Sequence, residues 1–282
     1  MLQVELDIFS GRPNPSWILS DKEEKELLDR VAADPNLMLP ASATNGRLGY
    51  RGYVVTAVSE SLDKKLPSRF RIGGQPGSEG DVNLWLLGTS EKLDTEVDDY
   101  LREIATGMIR KDEVAPGLSD ALPDKGALAA CASNFLTSSS DFSFWNGAAN
   151  VTVNNCYNYA SNYRSNTFAQ PGRQSGHLSS FPPTCSKIGT AIRWDGWKDV
   201  CQASSNLTIC LVIWPSTSPS TGDFHFYRKC SGGLWCHKPG QTPAKNTDDG
   251  GNLITNPQTA NRGLYTTFCE YFYVGGGSIV VS

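Results

Sequence analysis

The chain has 282 residues, 39% of them hydrophobic and 19% charged, with a net charge of −4, 27 glycines and 16 prolines. That is enough chain to bury a core without staples, and it describes a turn-rich globular protein of one large or two ordinary domains. The chain has no long basic run and no Lys/Arg stripe interleaved with aromatics, which disfavours a nucleic-acid partner, and no apolar run approaches the roughly 18 residues of a helical membrane span.

No Cys or His precedes Cys131; all eight cysteines and all three histidines lie from there onward. Between the two regions runs the Pro/Gly-punctuated stretch from Ala115 to Gly126, read as a linker. The expected division is an N-terminal α+β accessory domain over 1–120 and a Cys/His-bearing domain over 121–282. In the first part, Leu2, Val4, Leu6 and Ile8 alternate with polar residues and predict a strand. The turn-rich Ser10 to Ser16 follows, where Arg12 reads as part of a structural turn rather than an anion site. Ser20 and Glu23 form a capping-box pattern that predicts a helix ending before Pro35. Strands are predicted over Tyr50 to Val58 and Arg69 to Ile72, and an amphipathic helix over Thr95 to Met108.

In the second part a short helix is predicted around Gly126 to Leu136, and another from Asn155 to about Arg164. Leu207 to Trp214 is continuously apolar, β-branched and stopped by Pro215, which predicts a buried strand. Asp223 to Lys229 and Leu234 to His237 predict two more strands, joined at Ser231-Gly232-Gly233.

The chemistry-bearing residues are Cys156, His225 and His237. Asn155 is a preferred helix cap, and a cysteine just after a cap sits where the helix dipole favours thiolate. His225 and His237 are separated by an even number of positions across the predicted hairpin, which puts them on one sheet face if no bulge intervenes. A nucleophile, a base and a residue to orient the base are therefore present in the order helix, strand, strand. Asp223 and Asp249 are alternative orienters. The structural alternative stays open for each: Cys156 as a buried or disulfide-bonded cysteine, His225 as a hydrogen-bonded core residue, His237 as an exposed residue before Lys238-Pro239-Gly240.

Asn155-Cys156-Tyr157, Phe224-His225-Phe226-Tyr227 and Trp235-Cys236-His237 resemble the papain-like cysteine amidases of the NlpC/P60 type, over under a third of the chain. The resemblance implies a helix packed on an antiparallel sheet, an α+β fold overall, with Cys156 attacking an amide carbonyl, His225 as base and His237 as third member. It implies a peptide or peptidoglycan-like substrate and a hydrolase or acyl transferase that needs no cofactor or metal. Around the cysteine that family usually reads Asp-Cys-Ser-Gly, where this chain reads Asn155-Cys156-Tyr157-Asn158.

Eight cysteines could also make four disulfides. Cys230 with Cys236, and Cys201 with Cys210, are candidate pairs. That count suits a secreted binding or toxin-like protein without catalysis, with exposed aromatics as its contact residues. Asn150-Val151-Thr152 and Asn206-Leu207-Thr208 match the glycan acceptor pattern, which is common by chance. The stretch Met1 to Asp7 has no charged region leading into an apolar core, so the expectation is a cytoplasmic chain or a secreted one written without its leader, the cysteines favouring the latter. Zinc held by Cys156, His225 and His237, and calcium in the loop Asn246 to Asn252, have poor ligand spacing. The sequence leaves the oligomeric state open.

Overall fold

The computed structural model describes residues 1–44, 46–58, 66–74, 80–92, 96–110, 142–202, 205–275 and 279–282. The stretches read above as a linker and as a helix around Gly126 to Leu136 lie outside the described residues. The fold is α+β, with helices and two antiparallel sheets. The chain forms two compact units. One comprises Met1–Ile8, Asn14–Asn45 and Gly49–Ala115; the other comprises Phe9–Pro13, Gly46–Leu48 and Pro116–Ser282. Two short pieces from near the start of the chain therefore belong to the second unit.

The first unit is built on a five-stranded sheet in the order β2-β1-β4-β5-β3. Its strands are β1 (Leu2–Leu6), β2 (Ser16–Ile18), β3 (Leu39–Pro40), β4 (Tyr53–Ala57) and β5 (Arg69–Ile72). The register places Trp17, Val4, Val55 and Phe70 in one row across four strands, all buried. Such cross-strand apolar rows stabilise a sheet through side-chain contact as well as through its ladder. Helix α1 (Asp21–Ala33) carries the capping box read from the sequence: the Ser20 hydroxyl accepts from Glu23 N–H and the Glu23 carboxylate accepts from Ser20 N–H. Its Leu27 and Val31, one turn apart, are buried. Helix α2 (Gly80–Gly88) is hydrophobic nearly all round and has no strong period to read. Helix α3 (Asp99–Ile109) starts later than the periodicity suggested, because the Asp98 carboxylate caps Leu101 N–H. It buries Leu101 and Ala105 and leaves Tyr100 exposed.

One polar cluster sits within this unit. Asp7, fully buried, accepts from Arg51 Nε at 3.1 Å and Nη2 at 2.6 Å and pairs with Arg71 as well. Burial alone would push the Asp7 carboxyl up, but the two guanidinium charges outweigh it and hold the group below its ordinary 3.8.

The second unit is built on a four-stranded sheet in the order β8-β7-β6-β9. Its strands are β6 (Ser205–Trp214), β7 (Asp223–Lys229), β8 (Trp235–His237) and β9 (Thr267–Gly275). Helices α4 (Phe142–Asn146), α5 (Cys156–Ser161) and α6 (Cys185–Trp194) belong to the same unit. The continuously apolar β6 is central, and Leu207, Ile209, Leu211 and Ile213 from one of its faces join Phe224 and Phe226 of β7, Ile188 and Ile192 of α6, and Cys156 and Ala160 of α5 in one core. The disulfide Cys185–Cys269 ties the start of α6 to β9 across 84 residues, and Cys230–Cys236 bridges β7's end to β8. The second pairing is the one expected from strand parity. The Cys201–Cys210 pairing is not made: Cys210 is a free, buried thiol on β6. Among the described residues no helix is long and apolar enough to cross a membrane.

The Asp7 triad sets an acid limit on the first unit. A carboxyl whose folded value lies below its unfolded value contributes stability that is complete above the unfolded value and is lost as pH falls through the folded one. The urea midpoint of this unit is therefore expected to start falling below about pH 4. Asp7→Asn leaves two buried guanidiniums without their carboxylate, and should lower stability at pH 7 by about 3–5 kcal/mol. Equal stability of the variant in urea melts would show that the triad contributes little.

Candidate functional site

Helix α5 begins where the sequence suggested. Asn155 caps it, its side-chain oxygen accepting from the N–H groups of Tyr157 at 3.0 Å and Asn158 at 3.1 Å, while Asn158 Oδ1 accepts from Asn155 N–H. Cys156 is therefore the first helical residue. Its side chain points into the core against β7, where the thiol donates to the Phe224 carbonyl at 3.9 Å and meets Phe226 N–H. The thiol occupies the hydrogen-bonding edge of β7 that β8, pairing only from Tyr227 onward, leaves open.

The thiolate expected at a helix start is not what this setting gives. Burial pushes the Cys156 thiol far up, and the nearby Asp223 carboxylate adds to that; Phe226 N–H, Ser10 and the Lys238 charge oppose it weakly. The residue is fully buried. The helix dipole's contribution is small beside the cost of leaving an ion without water.

The two histidines are brought together. Tyr227, two positions along from His225, is the direct cross-strand partner of His237, so both histidines face the same way and lie on a diagonal. The 3₁₀ turn Ser231–Gly233 shifts the register by two from the symmetric hairpin, which preserves the parity. His225 Nε2 lies 2.9 Å from His237 Nδ1, and His237 Nε2 lies 2.9 Å from the Thr247 carbonyl. A carbonyl only accepts, so His237 carries its proton on Nε2 and its Nδ1 accepts from His225 Nε2–H. Burial, then the charge of Lys245, push the His237 imidazolium down to about 3.

His225 Nδ1 faces Ser10 Oγ at 2.6 Å, and that hydroxyl oxygen also accepts from Gly240 N–H at 3.1 Å. Ser10 is the group that touches both His225 and the Cys156 thiol. The three residues singled out from sequence thus form one cluster, with Ser10 set between the thiol and the imidazole.

Ser10 is held by its neighbours. The Asp223 carboxylate accepts from three successive backbone N–H groups, Ser10 at 2.5 Å, Gly11 at 2.9 Å and Arg12 at 3.0 Å, and from the Tyr265 hydroxyl at 2.5 Å. Burial pushes its carboxyl up, and these four donors oppose that. Asp223 serves the backbone of residues 10–12, and Asp249 receives Leu48 N–H at 3.0 Å on both oxygens. The Gly11 carbonyl accepts from Asn155 Nδ2 at 2.7 Å and Gln170 Nε2 at 2.8 Å. Lys238 Nζ, also buried, donates to the carbonyls of Val151, Asn154 and Gly240 at 2.5–2.6 Å, fixing the approach to α5. Arg12 is structural, as the turn reading expected: Nη1 donates to the Pro219 carbonyl, and the guanidinium lies over the rings of Phe9 and Phe181.

Sequence reasoning missed Ser10, Gln170, Lys238 and Tyr265. Ser10 and Gly11 carried a turn signal and nothing that tied them to a strand so distant in the chain. Among the described residues no group of three or more His, Cys, Asp or Glu side chains stands in metal-holding geometry. His177 stacks on the exposed Trp194, centroids 3.9 Å apart.

Fold and site together define an α+β protein with a disulfide-tied unit around a buried Ser/Cys/His cluster. No family model matches the chain, and no solved structure matches it. It is 42% identical over 133 residues to insoluble matrix shell protein 1 of Ruditapes philippinarum, an alignment covering 46% of this chain and 86% of that protein. The chain belongs to the family of that shell matrix protein.

His237 gives the second unit a pH dependence of known sign. Its imidazole is protonated at about 6.5 when unfolded and only near 3 when folded. Between those values the unfolded state binds the extra proton, so stability falls as pH falls, by up to about 1.4 kcal/mol per pH unit. His237→Gln, which takes up no proton there, should flatten that slope in urea melts between pH 6.5 and 4. An unchanged slope would assign the dependence to another group.

Proposed function

We propose that the chain is a secreted, disulfide-bonded matrix protein that works by binding rather than by catalysis, its Cys156–His225–His237 cluster serving as a buried structural centre. The observation that carries this reading is the state of Cys156: fully buried, held by the Phe224 carbonyl, and kept as a thiol by its surroundings. A reactive cysteine needs accessible thiolate. The relative supports the extracellular setting, since it is by its name a protein of a shell matrix. The disulfides Cys185–Cys269 and Cys230–Cys236 fit the same compartment, because such bridges persist where the surroundings oxidise thiols. The acceptor pattern at Asn150 is no glycan site in the folded chain, as its side chain is buried and donates to the Phe144 carbonyl at 2.7 Å.

A second reading is favoured by one specific observation. His225 offers one nitrogen to His237 and the other to the side where Cys156 lies, which is the order a thiol amidase of the NlpC/P60 type requires. In that reading the enzyme is a cysteine amide hydrolase or acyl transferase acting on a peptide-type bond, cell-wall peptide included, and Ser10 has to withdraw before His225 can take the thiol proton.

The test is secretion of the chain from eukaryotic cells behind an added leader, then two assays on the oxidised product. The first is co-sedimentation with insoluble probes, chitin and calcium carbonate powder; the second is amine release from peptide amides. The binding reading expects retention in at least one pellet and no amine release. Amine release that disappears in Cys156→Ser would replace it with the second reading.

A further inference from the structure

We infer that the second unit contains a recognition site for a bent Ser-Gly-Arg peptide segment, and that the chain's own Ser10–Arg12 fills it and shields Cys156. The inference goes beyond the matrix-binding reading and does not require catalysis. Phe9–Pro13 belongs to the second unit although its neighbours in sequence belong to the first. The residues that hold it are side chains converging from separate stretches of the unit, and each recognises a feature that a peptide brought from outside would also present.

The recognition is complete along three residues. One carboxylate, Asp223, reads three consecutive backbone N–H groups. Two carboxamides, Asn155 and Gln170, read the carbonyl between the second and third residues. The first side chain must be a small hydroxyl, because Ser10 Oγ fits between His225 Nδ1 and Gly240 N–H. The second must be glycine: a Cβ on Gly11 would stand 2.4 Å from both the ring and the carbonyl oxygen of Phe224. The third is an arginine whose guanidinium finds the Pro219 and Gly222 carbonyls and the ring of Phe181. Asn155 is fixed in turn by capping α5, so the carbonyl site and the placement of Cys156 depend on one side chain.

Seating the segment explains why the thiol is hidden. Ser10 stands beside Cys156, and the Gly11 backbone lies on Phe224, whose carbonyl receives the thiol. Dislodging the segment should expose the thiol, and a peptide of the same sequence supplied in trans should cover it again.

The experiment uses the full oxidised chain with iodoacetamide at pH 8, read by peptide mass mapping at Cys156, with folding checked by circular dichroism and thermal melting. Wild type should be inert until it unfolds. Gly11→Val should leave a folded protein whose Cys156 is alkylated at least tenfold faster. A synthetic Phe-Ser-Gly-Arg-Pro peptide at millimolar concentration should restore protection, while Phe-Ser-Val-Arg-Pro should not. If Gly11→Val fails to fold, Arg12→Ala, which removes the anchor without introducing a clash, takes its place with the same readout. A folded variant whose Cys156 stays inert, or one whose exposed thiol neither peptide protects, overturns the inference. Amine release and pellet binding are untouched by either result, so failure here is separable from failure of the function proposed above.

Discussion

The Asp223 carboxylate is the interaction on which the second unit's centre depends. It begins β7, is fully buried, and has four hydrogen-bond donors on its two oxygens. A buried carboxylate is tolerable only when such donors replace its water. Three of the four are backbone N–H groups that have no strand partner of their own, so each side answers the other's need. The consequence reaches across the chain, since residues 10–12, near its start, are fixed against β7, which lies in its last third. Closing so long a loop carries an entropic cost, and a single hydrogen bond does not meet it. The nest of donors, the Asn155 and Gln170 carboxamides on the Gly11 carbonyl and the Arg12 anchors act together.

The same economy of polar partners runs through the cluster behind it. Thr247 offers a carbonyl, which fixes the proton on His237 Nε2, which makes His237 Nδ1 an acceptor, which fixes the proton on His225 Nε2. In the neutral ring this leaves His225 Nδ1 to accept from Ser10. Every group in this relay is satisfied in its neutral form. That is the arrangement a buried core prefers, because no ion has to be desolvated. Contrast the first unit, where Asp7 is buried as an ion with two arginines. There the pairing specifies geometry through charge; around His225 it does so through tautomers.

Much of this was legible in the sequence. The strand over Asp223–Lys229, the cap at Asn155, the Ser20 box and the shared face of the two histidines follow from period, capping chemistry and parity, which are local. β9 carries a plain aromatic strand signal in Thr267–Gly275. Helix α6 has Thr184 as a cap and Ile188, Ala191 and Ile192 as a face, a signal that Gly189 within it and Pro182-Pro183 before it weaken. What no local rule reaches is the return of Ser10–Arg12 to β7. A turn signal says that the backbone needs partners, and it does not say where they are. The thiolate that a helix start favours at Cys156 is opposed for a related reason: capping is local, whereas burial is a property of the finished core.

This difference between local and global determinants bears on what the cluster can do. Placing a cysteine at a helix start and two histidines on one sheet face costs a sequence little, and the pattern alone is compatible with a nucleophile or with a core. What separates the two is whether water and a substrate carbonyl can reach the thiol. Here the chain's own segment lies beside the thiol: Ser10 touches it, Gly11 C=O sits between two carboxamides, and Phe224 leaves no room for a side chain on residue 11. Glycine at position 11 is therefore the residue that permits closure. A larger residue would force the segment off β7, and the Asp223 carboxylate would lose three donors in the same movement. Closure of the cluster and burial of Asp223 are one event, so a site that opens must bring either water or another peptide backbone to that carboxyl.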